Sequence, residues 1–166
     1  MKDALVSARK EYTWITLTVF LAGYFLNVVW ESLHWVWFYI PDLPVPSFTY
    51  ITHVASVGDG VWIIILYWLT AVQAKNPTWI QRPTKTNLYT FAGLGITAAA
   101  GIEAWAHITN AWSYGSAMPE ILGIGVSPLI QLTTTGLISV YIAKTALYTP
   151  ILTRYQTETP KDDLNR

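Results

Sequence analysis

The chain has 166 residues, of which 52% are hydrophobic and only 12% charged, about half the charged share of an ordinary soluble domain. Ten basic and ten acidic residues cancel, so no net field argues for nucleic acid, and the composition is that of a chain that meets a membrane. The absence of cysteine excludes disulfides, thiolate metal sites and cysteine nucleophiles.

Residues 1–11, MKDALVSARKE, form a short charged lead-in. The apolar run behind it is too long and too aromatic for a cleavable signal peptide, so it is expected to be retained. Four apolar segments follow, at about 12–38, 48–72, 87–112 and 127–148, each near the roughly 20 residues needed to cross a hydrocarbon core. The expected fold is therefore all-α: a polytopic membrane protein with one four-helix transmembrane domain over 12–148 and a tail over 149–166.

Orientation follows from the connections. The loop IPDLPVPS, where Pro41, Pro44 and Pro46 oppose helix, has Asp42 as its only charge. The loop GSAMPEILGIG has only Glu120. The middle loop carries Lys75, Arg82 and Lys85, and the tail carries Arg154, Lys161 and Arg166. Basic residues thus collect at both termini and the middle loop, which the positive-inside rule places in the cytoplasm. The expected location is a bacterial inner membrane or another cell membrane, with N-in and C-in topology. The tail TETPKDDLNR reads as solvated.

Trp37-x-Tyr39 followed by Pro44 recurs as Trp112-x-Tyr114 followed by Pro119. Either a two-plus-two duplication or the general preference of Trp, Tyr and Pro for interfaces and loops accounts for it.

Polar side chains in a bilayer core should face the bundle interior, and positions three, four and seven apart share a helix face. Helix one then offers Asn27, Glu31 and His34, with Trp30 beside them. Helix two offers Thr52, Ser56 and Asp59, with His53 flanking. Helix three offers Glu103, His107 and Asn110, and helix four offers Gln131, Thr134 or Thr135, and Ser139. A separate small-residue face, Gly93, Thr97 and Gly101, is expected to let a neighbouring helix approach closely.

At a rise of about 1.5 Å per residue, Glu31, Glu103 and Asp59 lie roughly 10, 14 and 16 Å from the outer ends of their helices. All three intramembrane carboxyl groups and all three histidines fall in one outer slab. That layout suggests a polar pocket capped by the outer loops, with Trp112, Tyr114, Met118 and Pro119 as its lid and Gln131 as its fourth side. Single residues such as Asn27 or Ser139 also serve as interhelical glue, but ionisable groups at membrane depth point to function.

Such a cluster can hold a proton on one carboxyl while another is ionised, an acid and a base together. The candidate catalytic residues are Glu31, Asp59, Glu103, His107 and His34. The candidate substrate-binding residues are Asn27, Trp30, Ser56, Trp112, Tyr114 and Gln131, whose aromatic members could stabilise a developing carbocation. The partner expected is a lipidic small molecule, isoprenoid or terpenoid among them, transformed by protonation-initiated cyclisation, isomerisation or hydration. Metal is the competing chemistry, since Glu31-x-x-His34 has di-iron spacing, but that motif occurs once where a di-iron bundle uses two. No metal and no cofactor are expected. The same carboxylates would also serve a non-enzymatic binder or transporter as counter-ions, and a structural or assembly subunit is a third reading. Oligomeric state is not legible.

From Asn27 to Leu132, the pattern Trp30-Glu31, Gly58-Asp59, Glu103, Trp112-x-Tyr114-x-x-x-Met118-Pro119 and Gly123-x-Gly125-x-x-Pro128-x-x-Gln131-Leu132 resembles small bacterial four-helix membrane proteins of unknown function. The resemblance implies an integral membrane protein and no particular activity. More distantly, Glu103 with Trp112-x-Tyr114 is similar to membrane carotenoid cyclases and hydratases, although the Pro-x-Glu pair usual there is absent, Pro119 being followed directly by Glu120. The four-helix, N-in plan is similar to the sterol isomerase and sigma-2 receptor superfamily in architecture rather than motif.

Overall fold

The computed structural model describes the backbone of residues 2–38 and 45–158 and the side chains of residues 5–38 and 48–149. Among these residues are four α-helices: α1 (Lys2–Phe38), α2 (Val45–Ala74), α3 (Lys85–Thr109) and α4 (Val126–Glu158). Three of them carry stretches long and apolar enough to cross a membrane: Leu5–Phe38, Phe48–Ala74 and Val126–Thr149. α3 falls outside that set. Its 25 residues include Gly93, Gly95 and Gly101 and the polar Glu103 and His107, which dilute its apolar character.

The helices differ from the sequence reading at their ends. α1 already begins at Lys2, so the lead-in is helical from Lys2 onward rather than a separate segment. Pro46 lies within the first turn of α2 instead of barring helix, because the first-turn N–H groups of a helix have no intrahelical acceptor to lose. Tyr39, Pro41, Asp42 and Pro44 lie outside the described residues, as does the tail from 159 onward, so the proposed Trp-x-Tyr repeat has no described counterpart at residues 39–44.

α3 starts at a reciprocal cap. The Thr84 hydroxyl accepts from the Asn87 N–H at 3.2 Å, and Asn87 Oδ1 accepts from the Thr84 N–H at 3.0 Å. It ends at Thr109, three residues short of Trp112, because Asn110 turns left-handed at φ 53°. Asn is among the few residues that adopt this conformation at low cost. The chain beyond it folds back over the bundle as a loop, then forms a hairpin of two-residue strands, β1 (Glu120–Ile121) and β2 (Ile124–Gly125), paired antiparallel. Leu122 and Gly123, with φ of 54° and 77°, make the tight turn between them, where positive φ at both positions suits strand twist. This hairpin is the one described departure from all-α secondary structure, and α4 follows it directly.

Around the bundle, α1 packs against α2 and α4, and α4 packs against α3, while α2 and α3 approach each other least among adjacent helices. One end is closed by an aromatic core: Tyr67 stacks on Trp79 at 5.5 Å, and Trp79 meets Phe91 at 6.3 Å. The linker between α2 and α3 supplies Trp79 and Ile80 to this core, both essentially inaccessible. Glu11 ties the same end together, accepting from Gln81 at 3.1 Å and from Tyr148 at 2.9 Å. Large apolar side chains such as Val36, Val72 and Ile108 lie on the outside, whereas Asn27, Thr52, Ser56, Thr70 and Ser139 are buried. The core combines these polar groups with apolar side chains such as Ile15, Val19, Ile63 and Leu66.

The close approach of α3 to α4 runs through a different glycine from the one expected. A methyl group on Gly95 would meet Thr133 at 2.5 Å, whereas one on Gly93 or Gly101 would meet nothing. Two residues along a helix is about 200° around it, so Gly93, Thr97 and Gly101 lie on the outward side.

Candidate functional site

At the end opposite Trp79, the helices enclose a cavity of about 760 Å³. α1 contributes Glu31, His34 and Trp35, and α2 contributes the run from Tyr50 through Gly58 and Asp59 to Trp62. α3 adds Ala99, Ile102 and Glu103, the following loop adds Ala111 to Tyr114, and α4 adds Pro128, Gln131 and Leu132. Tyr50 and Val54 both line the cavity and are exposed, which puts its mouth where α2 and α3 diverge. Gly58 keeps the interior open, since a methyl group there would meet no neighbouring atom.

Two polar clusters face this space. In the first, Gln131 Nε2 lies 2.6 Å from Glu31 Oε1, 3.0 Å from Asp59 Oδ2 and 3.1 Å from Asn27 Oδ1. Asn27 is itself oriented by donating to the Gly23 carbonyl at 2.8 Å. One side chain from α4 thereby gathers polar groups from α1 and α2. In the second cluster, Trp112 Nε1 donates to the Tyr114 hydroxyl at 2.9 Å, and that hydroxyl donates to Glu103 Oε1 at 2.9 Å. Glycine at position 125 suits this close packing: a methyl group there would lie 3.0 Å from the Tyr114 ring and 3.2 Å from Pro128, so those side chains would have to give slightly. Gly115 N–H donates to the Phe38 carbonyl at 2.7 Å, pinning the loop to the end of α1, and His34 packs against Tyr114 and Phe38 with ring centroids 5.7 and 5.2 Å apart.

The structure brings together Glu31, His34, Asp59, Glu103, Trp112, Tyr114 and Gln131 as cavity-lining residues. Asn27 supports the cavity from behind, through Gln131. Ser56 does not reach it, being fully buried with its hydroxyl donating to the Thr52 carbonyl. Trp30 does not line it either, and its indole N–H is buried without a hydrogen-bond partner. His107 is also set apart. It is exposed, and its ring lies beside Gly123 of the hairpin. Four residues advance a helix by about 40° beyond a full turn, and so close to the end of α3 that offset takes His107 out of the cavity while Glu103 stays in. His53, on the outer side of α2, hydrogen-bonds Tyr24 at 2.9 Å. Among the described residues, no group of three or more His, Asp or Glu side chains is placed to hold a metal ion.

Trp35 and Trp62 form walls that the polar spacing did not single out. Each continues a stripe, Trp35 four residues after Glu31 and Trp62 three after Asp59, so extending the same periodicity to aromatic residues would have found both.

No protein-family profile, curated protein or solved structure matches the chain.

Proposed function

We propose that the chain is an integral membrane protein whose four helices all cross the bilayer, with both termini cytoplasmic, and that the cavity is an acid/base site for a lipidic small molecule. The reaction class is protonation-initiated cyclisation, isomerisation or hydration of an isoprenoid or terpenoid. The observation that carries this reading is that Glu31, Asp59 and Glu103, from three different helices, line one cavity whose other walls are largely aromatic and apolar. Acid and base groups supply a proton and remove one, Trp and Tyr faces stabilise an intervening cation, and the apolar walls keep water from competing for it. A volume of about 760 Å³ lies within the range typical of small-molecule sites.

The test is to express the protein in hosts rich in isoprenoid precursors and profile their lipids by mass spectrometry beside Glu103→Gln. A new isoprenoid product, reduced at least about 100-fold by that substitution, is expected from the usual worth of a general base. An unchanged profile across several such hosts would overturn the enzyme reading. The second reading is a binder or transporter of a cationic amphiphile, favoured by the same carboxyl groups facing Trp35 and Trp62. It predicts uptake or retention of such a cation, lost in Glu103→Gln, with no new product.

A further inference from the structure

The two carboxyl clusters differ in how many hydrogens they are offered. Around Gln131 Nε2, three acceptor oxygens lie within 3.1 Å, yet a primary amide nitrogen carries only two hydrogens. Asn27 gives one amide hydrogen to the Gly23 carbonyl and turns its oxygen to Gln131, and no hydrogen bond joins its nitrogen to either carboxyl group. Turning the Gln131 amide over would set four oxygens together, so its nitrogen is the atom that faces them. With both carboxyl groups ionised, the cluster is at least one hydrogen short. Glu31 and Asp59 also approach the same nitrogen at 2.6 and 3.0 Å, and two negative charges so close in a buried site are strongly unfavourable. Glu103 has the opposite surroundings. It accepts from Tyr114, whose hydroxyl accepts in turn from Trp112. A carboxylate met by donors is stabilised in its ionised form.

We infer that the site divides its labour: the Glu31–Asp59 pair shares one proton and is the acid, and Glu103, oriented by Tyr114, is the ionised base. The other titratable groups lining the cavity are His34, which lies against Tyr114, and Tyr50, which is 71% exposed at the mouth. This inference deepens the acid/base reading and rests on it for its catalytic meaning. In an isomerisation, the pair gives its proton to one carbon of a C=C bond, whose π electrons form the new C–H bond and leave a cation on the other carbon. Glu103 then takes a proton from the carbon next to the cation, and that C–H pair becomes the new double bond. The substrate gains and loses one proton, and the proton on Glu103 returns to the pair through water at the mouth. Cyclisation inserts ring closure onto the cation between the same two proton transfers.

Infrared spectroscopy of the ligand-free protein in lipid nanodiscs at neutral pH, with deuterium exchange, tests this without any substrate. A protonated-carboxyl C=O band is expected in the native protein. Glu31→Gln and Asp59→Asn should each remove or shift it, and Glu103→Gln should leave it in place. Tyr114→Phe, which keeps the ring, should perturb the ionised carboxylate stretch and leave the protonated band unchanged. Loss of the protonated band in Glu103→Gln, or its absence from the native spectrum, overturns the assignment. Because this readout is independent of turnover, a correct band pattern with unchanged host lipids would sink the enzyme reading alone. A reversed pattern with altered lipids would sink only the division of roles.

Discussion

Gln131 holds the first cluster together, and its loss should show in stability as well as in function. Replacing it with Leu keeps the apolar packing but leaves Asn27 Oδ1, Glu31 and Asp59 without the donor they share. Buried polar groups stripped of a partner cost about 1–3 kcal/mol each. Gln131 has two hydrogens to give, so Gln131→Leu should destabilise the protein by roughly 2–6 kcal/mol, read as a lowered midpoint of thermal unfolding in detergent. A midpoint within error of the native value would mean that the three oxygens have other donors. Gly58 makes the complementary case. Its missing side chain leaves open space inside the cavity, although glycine within a helix costs about 0.5–1 kcal/mol relative to alanine. Gly58→Leu should fold normally, with an unchanged or raised unfolding midpoint, and lose ligand capture by filling the room the ligand needs. Retained capture of the lipid identified by mass spectrometry would show that the ligand lies elsewhere. At this scale the sequence was informative where a carboxyl group or amide interrupted an apolar run, as at Glu31, Asp59, Glu103 and Gln131. It was silent about which hydrogen bonds join them, because those depend on contacts spanning 72 to 104 residues.

Among the elements, helix existence was legible and helix faces less so. Periodicity placed Asn27 and Glu31, or Ser56 and Asp59, on common stripes because one face of each helix is polar and the rest is apolar. It could not choose between Gly93 and Gly95 as the site of close approach, since both belong to small-residue patterns and only the position of α4 decides. The hairpin was also missed, because Leu122 is an unusual residue for a left-handed turn position and the strands are only two residues long. The glycine assignment is directly testable. In Gly95→Ala, the new methyl group meets Thr133 at 2.5 Å at its side chain and 3.3 Å at its backbone, so the α3–α4 contact has to widen. A loss of about 1–3 kcal/mol is expected from overpacking. Gly93→Ala meets nothing and should instead gain up to about 1 kcal/mol from helix propensity. Thermal unfolding of the two variants side by side decides the matter: equal midpoints, or the reverse order, would mean that α3 packs on the expected face after all.

For the molecule as a whole, the topology turns on α3. Its composition alone places it outside the set of clearly spanning helices, yet it fills one side of the bundle, packs on α4 and brings Glu103 to the cavity. A helix in that position can tolerate small and polar residues where protein rather than lipid covers it. The absence of native cysteine makes the topology accessible to single-cysteine labelling with a membrane-impermeant reagent. Ser7, Thr86 and Leu122 are exposed reporters for the start of α1, the start of α3 and the hairpin. If four helices cross with both termini cytoplasmic, Ser7→Cys and Thr86→Cys should be protected in intact cells and labelled in inverted membranes, and Leu122→Cys should behave in the opposite way. Should α3 fail to cross, Thr86 and Leu122 would report the same side. The proposal of an outward-facing pocket would then fall. The proton inventory of the two carboxyl clusters would stand, because it depends only on contacts inside the bundle.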